Sequence, residues 1–284
     1  MTKPREKIFV FHTSRYIDNP MIDGVIIDAG AEDYFTLLDK YGDKVRQLHL
    51  NGSGAGRGGD AFPGLPANAK KGLPRVLKYF AQSKEEVIRY SQPLKEKNWL
   101  VCPLFPIEKR EDVSFITSMG IAVDLLYRID QMDQSLVLDI LHYYLHYPSL
   151  EMPIEPFHSI LTARLKRKTL LLWHLHLMFP GLFLHVDDTG VSATPAQLTA
   201  KEYLYLVDWE NHSIKKNEAP GTNKKNLKSY FETMPQVQPE CMPCAHFHQC
   251  FGWAKYGKDT CAKWKAVLDT IQRNVKELEK TCHG

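Results

Sequence analysis

Residues 99 to 146 read WLVCPLFPIEKREDVSFITSMGIAVDLLYRIDQMDQSLVLDILHYYLH. Trp99 to Phe105 is a short apolar run of strand length, and Glu111 to Met119 carries its apolar residues at helical spacing. Val123 to Tyr127 is strand-like again, and Met132 to His146 is a long amphipathic helix. Strand, helix, strand, helix requires parallel strands with helices packed outside them, because each crossover must carry the chain back to the same end of the sheet. The class is therefore α/β. The pattern alone leaves open whether the sheet closes into a barrel.

The same rhythm extends toward the N-terminus. Lys7 to Phe11, Gly24 to Ile27 and Val45 to Leu50 read as strands, and Ala31 to Tyr41 as a helix. A glycine-rich loop spans Asn51 to Gly59, and helical material is expected from Leu73 to Lys97. Beyond residue 150 the pattern changes. Pro153 and Pro156 bracket a loop, followed by helices over Ile160 to Arg167 and Leu170 to Phe179. Leu182 to Asp187 and Val191 to Thr194 flank Asp188-Thr-Gly190, a hairpin signal with glycine where positive φ is needed. Tyr203 to Trp209 is strand-like and precedes a polar loop rich in Lys and Asn. Asn226 to Thr233 reads as a short helix and Trp264 to Leu278 as the terminal one.

With 284 residues, 44% hydrophobic and 24% charged, the composition is that of an ordinary globular chain. A formal charge of +3 is too small for a nucleic-acid track, and the basic clusters Arg164 to Lys168 and Lys215 to Lys228 read as solvated faces. The N-terminal apolar run is too short for a secretion signal. Thr169 to Val186, the longest apolar stretch, is broken by Pro180-Gly181 and carries His174 and His176, so it does not read as a membrane span. Clustered thiols without a signal favour a reducing compartment, and a cytoplasmic location is expected.

Four of the six cysteines fall in the run Cys241-Met-Pro-Cys244-Ala-His-Phe-His-Gln-Cys250 and its continuation to Cys261. The spacing C-x2-C-x5-C-x10-C brings four thiolates from a short loop and a helix start toward one point. Zinc ribbons present two C-x2-C pairs, and only the first pair here has that form. An iron–sulfur cluster is larger and tolerates wider, irregular spacing, which favours it; zinc remains the alternative occupant. His246 and His248 lie between the cysteines and are read as hydrogen-bonding the backbone or solvent. Cys102 is read as an inert core thiol and Cys282 as a frayed surface thiol.

This tail, with Gly252-Trp253 after Cys250 and a Trp- and Lys-bearing helix after Cys261, resembles the auxiliary-cluster region of radical SAM peptide maturases, the SPASM or twitch group. The hairpin ahead of the cysteine loop and the segment Ile154-Glu-Pro-Phe-His-Ser-Ile160 also look like that group. The resemblance implies a partial (β/α) barrel over residues 1–180. It further implies a C-terminal hairpin-plus-helix auxiliary iron–sulfur domain over 181–284, holding one [4Fe–4S] cluster on Cys241, Cys244, Cys250 and Cys261. The departure is at the front. Radical SAM enzymes hold their catalytic cluster with C-x3-C-x2-C after the first strand, where this chain reads Phe11-His-Thr-Ser-Arg-Tyr-Ile-Asp18. Without those thiolates S-adenosylmethionine cleavage is not expected. The chain looks like a pseudo-radical-SAM member. The resemblance implies an accessory role in ribosomal-peptide (RiPP) maturation, with a precursor peptide, a radical SAM maturase, or both as partners.

Other candidates are weaker. Gly54 to Gly59 satisfies G-x-G-x-x-G after a strand, but the following Asp60-Ala-Phe-Pro-Gly-Leu-Pro66 cannot begin the required helix, so a surface loop is the better reading. Asp28, His49, Asn51 and Tyr127 lie at or near strand ends, which would aim them at a barrel mouth as a peptide-contacting surface. Glu155 and His158 on the proline-rich loop share that assignment. An active enzyme would reuse this mouth through His12, His49 or Glu155 with another cofactor. His174 and His176, two apart, point too differently on a helix to share one ion. Asp187 and Asp188 read as turn residues. A RecB-type iron–sulfur nuclease, with Cys102 as the distant fourth ligand, is disfavoured because no Glu-x-Lys triplet occurs in the chain.

Overall fold

The computed structural model describes residues 8–11, 24–28, 40–41, 44–51, 76–177, 183–186, 190–192, 205–208, 213–216, 236, 238–255 and 260–283. The loop after the first strand (with His12), the glycine-rich loop, the hairpin turn at 187–189 and the expected helices over 31–39 and 226–233 lie outside them. So do the side chains of Asp28, Asn51 and Cys282.

The protein is α/β, with parallel strands and helices in an arrangement compatible with a partial barrel. It forms two compact units, residues 1–79 with 177–233, and residues 80–176 with 234–284. Neither is continuous in sequence. The chain passes from the first to the second within strand β4 (Val76–Ala81).

In the first unit β1 (Ile8–Phe11) pairs in parallel with β2 (Gly24–Asp28) on one side and β8 (Phe183–Val186) on the other. Strand β3 (Val45–Asn51) joins β2 in parallel and places His49 opposite Asp28. Val10, Ile26 and Leu177 form a buried cluster against which Ile8 packs. β8 also turns into an antiparallel run with β9 (Gly190–Ser192), β10 (Tyr205–Asp208) and β11 (Ser213–Lys216). The expected hairpin strands are thus present, paired His185 to Ser192 and Val186 to Val191. Strand β11 occupies part of the stretch read as a polar loop: its Lys-Lys end hides the strand from a hydropathy reading, but pairing with β10 uses backbone groups and tolerates polar side chains.

The second unit orders β5 (Leu100–Pro103), β6 (Ala122–Asp124) and β7 (Ile154–Glu155) in parallel. Helices α1 (Lys84–Arg89) and α2 (Ser91–Glu96) precede β5, and α3 (Arg110–Ser118) and α4 (Gln134–His146) separate the strands. The uniform helix expected over residues 73–97 is corrected: its first part is β4, whose side chains are almost all buried. Ser83 then starts α1, its hydroxyl accepting from the Glu86 N–H at 3.2 Å while Glu86 accepts from the Gln82 N–H at 2.6 Å. That is close to an S-x-x-E capping box. The proline-rich loop likewise contains a strand, because Ile154 is fully buried beside Val123.

The start of α3 is fixed by the buried carboxylate of Asp112. It accepts from the Glu108 and Lys109 N–H groups at 2.9 and 3.1 Å and from Lys84 at 2.5 Å. Burial pushes this carboxyl up, and the hydrogen bonds outweigh it and hold it below its ordinary range.

Helices α5 (Phe157–Leu165) and α6 (Leu172–Leu175) lead out of the strands, and the terminal helix α8 (Cys261–His283) packs on α4 and α5. Trp264, Val267, Leu268, Ile271 and Val275 recur at three- and four-residue intervals and are all buried, so one stripe of α8 faces the core. Trp264 also donates its indole N–H to Asp130 at 3.2 Å, and Lys263 donates to the carbonyls of Ile129 and Asp130 at 2.8 and 2.9 Å. Among the described residues no helix is long and apolar enough to cross a membrane.

Trp264→Ala should cost about 3–5 kcal/mol in denaturant unfolding, by losing a buried indole and its hydrogen bond. Exposed Lys265→Ala should stay within about 0.5 kcal/mol. Equal effects of the two would contradict this placement of the helix.

Candidate functional site

The cysteine loop belongs to the second unit. A 3-10 turn, Pro239–Cys241, carries the first thiol, and the Cys244 N–H donates to the Cys241 carbonyl at 3.1 Å. The short helix α7 (Phe247–Cys250) presents Cys250 at its last residue. Phe251 and Gly252 then take left-handed conformations, φ 45° and 77°, which reverse the chain immediately after that thiol. Cys261 is the first residue of α8.

The loop is held from several sides. Trp173 donates its indole N–H to the Phe251 carbonyl at 2.9 Å, and its ring meets Trp253 edge-on with centroids 5.0 Å apart. His176 stacks on Trp253 with ring centroids 4.1 Å apart. His246 is almost fully buried and its Nε2 lies 2.7 Å from an Asp269 carboxylate oxygen on α8. That imidazole is therefore occupied by a side chain, where a backbone or solvent partner was expected. His248 is exposed; the loss of some of its hydration, followed by the nearby charges of Arg164 and His246, holds its pKa below the ordinary imidazole value. Lys255 and Glu240 form an ion pair beside Cys241.

Cys241, Cys244, Cys250 and Cys261 are all half-buried, and none of the five described cysteines is in a disulfide. Cys102 is buried in β5, as a core thiol should be. The four loop thiols act on each other electrostatically. Burial pushes the Cys250 thiol up to about 11, and the neighbouring Cys261 and Cys241 add to the shift. The N–H of Ala254 opposes it, donating to the Cys250 sulfur at 3.4 Å. Cys241 is also pushed up, first by burial, with Cys261 and Cys244 contributing. A cationic centre would relieve this repulsion by replacing the protons, which is how thiol sites couple metal uptake to proton release. The donor set fits an iron–sulfur or zinc centre in chemistry, half-burial and backbone N–H···S bonding. No three His, Cys, Asp or Glu side chains among the described residues stand close enough to grip a single ion.

The other candidates divide by unit. In the first, His49 is buried with its Nε2 3.1 Å from the Gln47 side chain, and β2–β3 pairing sets it beside Asp28; Asn51 ends β3. In the second, Tyr127 follows β6 as an exposed ring edge-on to Phe80 at 5.1 Å. Glu155 ends β7 and is paired in register with Asp124 at the end of β6. Its carboxylate accepts from the Ser159 N–H at 3.1 Å, and His158 Nδ1 lies 2.8 Å from the Tyr144 hydroxyl. Glu155 is pushed up by burial, with Asp124 adding to the shift; Tyr144 is pushed up to about 12 by burial and then by Glu155. Asp124 and Tyr144 are therefore part of this cluster, although neither was singled out in the sequence. In comparison with known proteins, no family model, no curated protein sequence and no solved structure matches this chain.

A carboxyl whose pKa is raised on folding favours the folded state most at low pH. That contribution is lost as pH rises from its unfolded value through its folded one. Glu155→Gln, which never ionises, should therefore gain thermal stability relative to the native protein as pH rises from about 4 to 8. A difference that grows toward low pH would contradict the assignment.

Proposed function

We propose that this chain is an accessory, non-radical relative of the radical SAM peptide maturases. It holds one [4Fe–4S] cluster on Cys241, Cys244, Cys250 and Cys261, and binds a precursor peptide, a radical SAM partner, or both. The observation that carries this reading is a set of four half-buried cysteines within one unit, three from one loop and one at the start of α8. The α/β fold with parallel strands supports the partial-barrel part of it. The absence of cysteine from Phe11 to Asp18 supports the loss of radical chemistry.

A cluster with a thiolate on every iron supplies electron transfer or structural support rather than an open coordination site. The residues around it have their own tasks. Trp173 and Asp269 hold the loop through Phe251 and His246, and the Ala254 N–H stabilises negative charge on the Cys250 sulfur. A second reading, an enzyme reusing the strand ends with another cofactor, rests on the raised carboxyl of Glu155 beside the Tyr144–His158 pair.

Anaerobically purified protein should contain iron and sulfide in equal amounts, near one cluster per chain. Cys244→Ala should lose both and destabilise the second unit. Stoichiometric zinc without iron would overturn the cluster assignment. Incubation with S-adenosylmethionine and dithionite should yield no 5′-deoxyadenosine above background; its formation would sink the non-radical reading.

A further inference from the structure

The end of α5, helix α7 and the last turns of α8 enclose a pocket of about 290 Å³ in the second unit. Arg164, Arg167, Lys168 and Lys276 line it, with Glu279 as the one acidic lining residue. Among the described residues no carboxylate is paired with any of those four cations. The pocket is also built at its base. Gln249 is 1% exposed, its carbonyl oxygen accepts from Arg164 Nη2 at 2.5 Å, and its amide nitrogen has no acceptor among the described residues.

The site therefore presents donors and positive charge with too few acceptors. A buried amide N–H and a guanidinium fixed by the same glutamine can serve two oxygens of one planar acceptor. A carboxylate has that shape, carries only acceptors, and forms its strongest hydrogen bonds with charged donors. The outer cations Arg167, Lys168 and Lys276 are exposed, which suits a chain bearing further acidic residues along the rim.

We propose that this pocket binds an acidic peptide segment, one carboxylate seated against Arg164 and Gln249 and its neighbours on the outer cations. The sequence alone made Arg164 to Lys168 a solvated face; the buried glutamine behind it gives that charge a direction. The proposal borrows from the preceding reading only in taking the ligand to be a peptide, and it does not need a cluster on the cysteines.

Fluorescence polarisation on the full chain tests it. The probe is a labelled Gly/Ser peptide carrying several glutamates, and the control is the same peptide with glutamines. The acidic probe should bind about tenfold or more tightly than the control. Arg164→Gln and Lys276→Gln should each weaken it severalfold. Lys97→Gln, which removes the same charge from an exposed position at the end of α2, should leave it within about twofold. Gln249→Leu should weaken binding severalfold, since it removes both the buried amide donor and the oxygen that fixes Arg164. Should Arg164→Gln fail to fold, the exposed Lys276→Gln decides. Equal binding of both peptides, or equal loss in Lys97→Gln, would overturn the proposal. So would inorganic phosphate displacing the probe at lower concentration than acetate, which would assign the pocket to phosphate. The probe is synthetic, so these failures leave the cluster and partner readings untouched.

Discussion

The docking of one helical stripe organises the second unit. Trp264, Val267, Leu268, Ile271 and Val275 are useful only when buried together, and α4 and α5 provide the surface that buries them. Once α8 is seated, its other side chains have fixed addresses. Asp269 meets His246, Lys263 meets the carbonyls after β6, and Cys261 stands at the head of the helix. The geometry of the cysteine loop is thus inherited from ordinary hydrophobic packing. A polar loop of that length could not order four thiols alone, since each fixed residue costs about 1–2 kcal/mol of backbone entropy.

The thiol site and the strand-end cluster use burial in opposite ways. Around the cysteines, burial and mutual repulsion make negative charge costly, so the site favours whatever supplies positive charge. At Glu155 and Asp124 the parallel register forces two carboxyls side by side, and one of them is pushed toward its neutral form. A neutral carboxyl can donate a hydrogen bond, an ability that neither residue has when ionised.

Long periodic stretches were legible in the sequence, because α3, α4 and α8 each repeat their apolar spacing over several turns. Short elements were not. β7 has two residues, too few for any period, and it is defined by its pairing with β6. β4 merged with the helical material after it, although Ser83 and Glu86 carried a start signal that could have separated them. The cysteine spacing is visible in the sequence because it is local. Partners such as Asp269 for His246, or Gln249 for Arg164, arise from tertiary packing across 23 and 85 residues and leave no local trace.

The bonds from Lys263 to Ile129 and Asp130 close a loop of more than one hundred residues. Entropy makes such closure cheaper than it looks, since each doubling of loop length adds only about 0.6 kcal/mol. The burden falls on time instead. Contacts this far apart in sequence form late, and proteins rich in them fold slowly. Until α8 arrives, the surfaces of α4 and α5 that it covers stay open to water, and Cys261 is separated from the other three thiols. Cys261 therefore takes its place only once α8 has docked on α4 and α5.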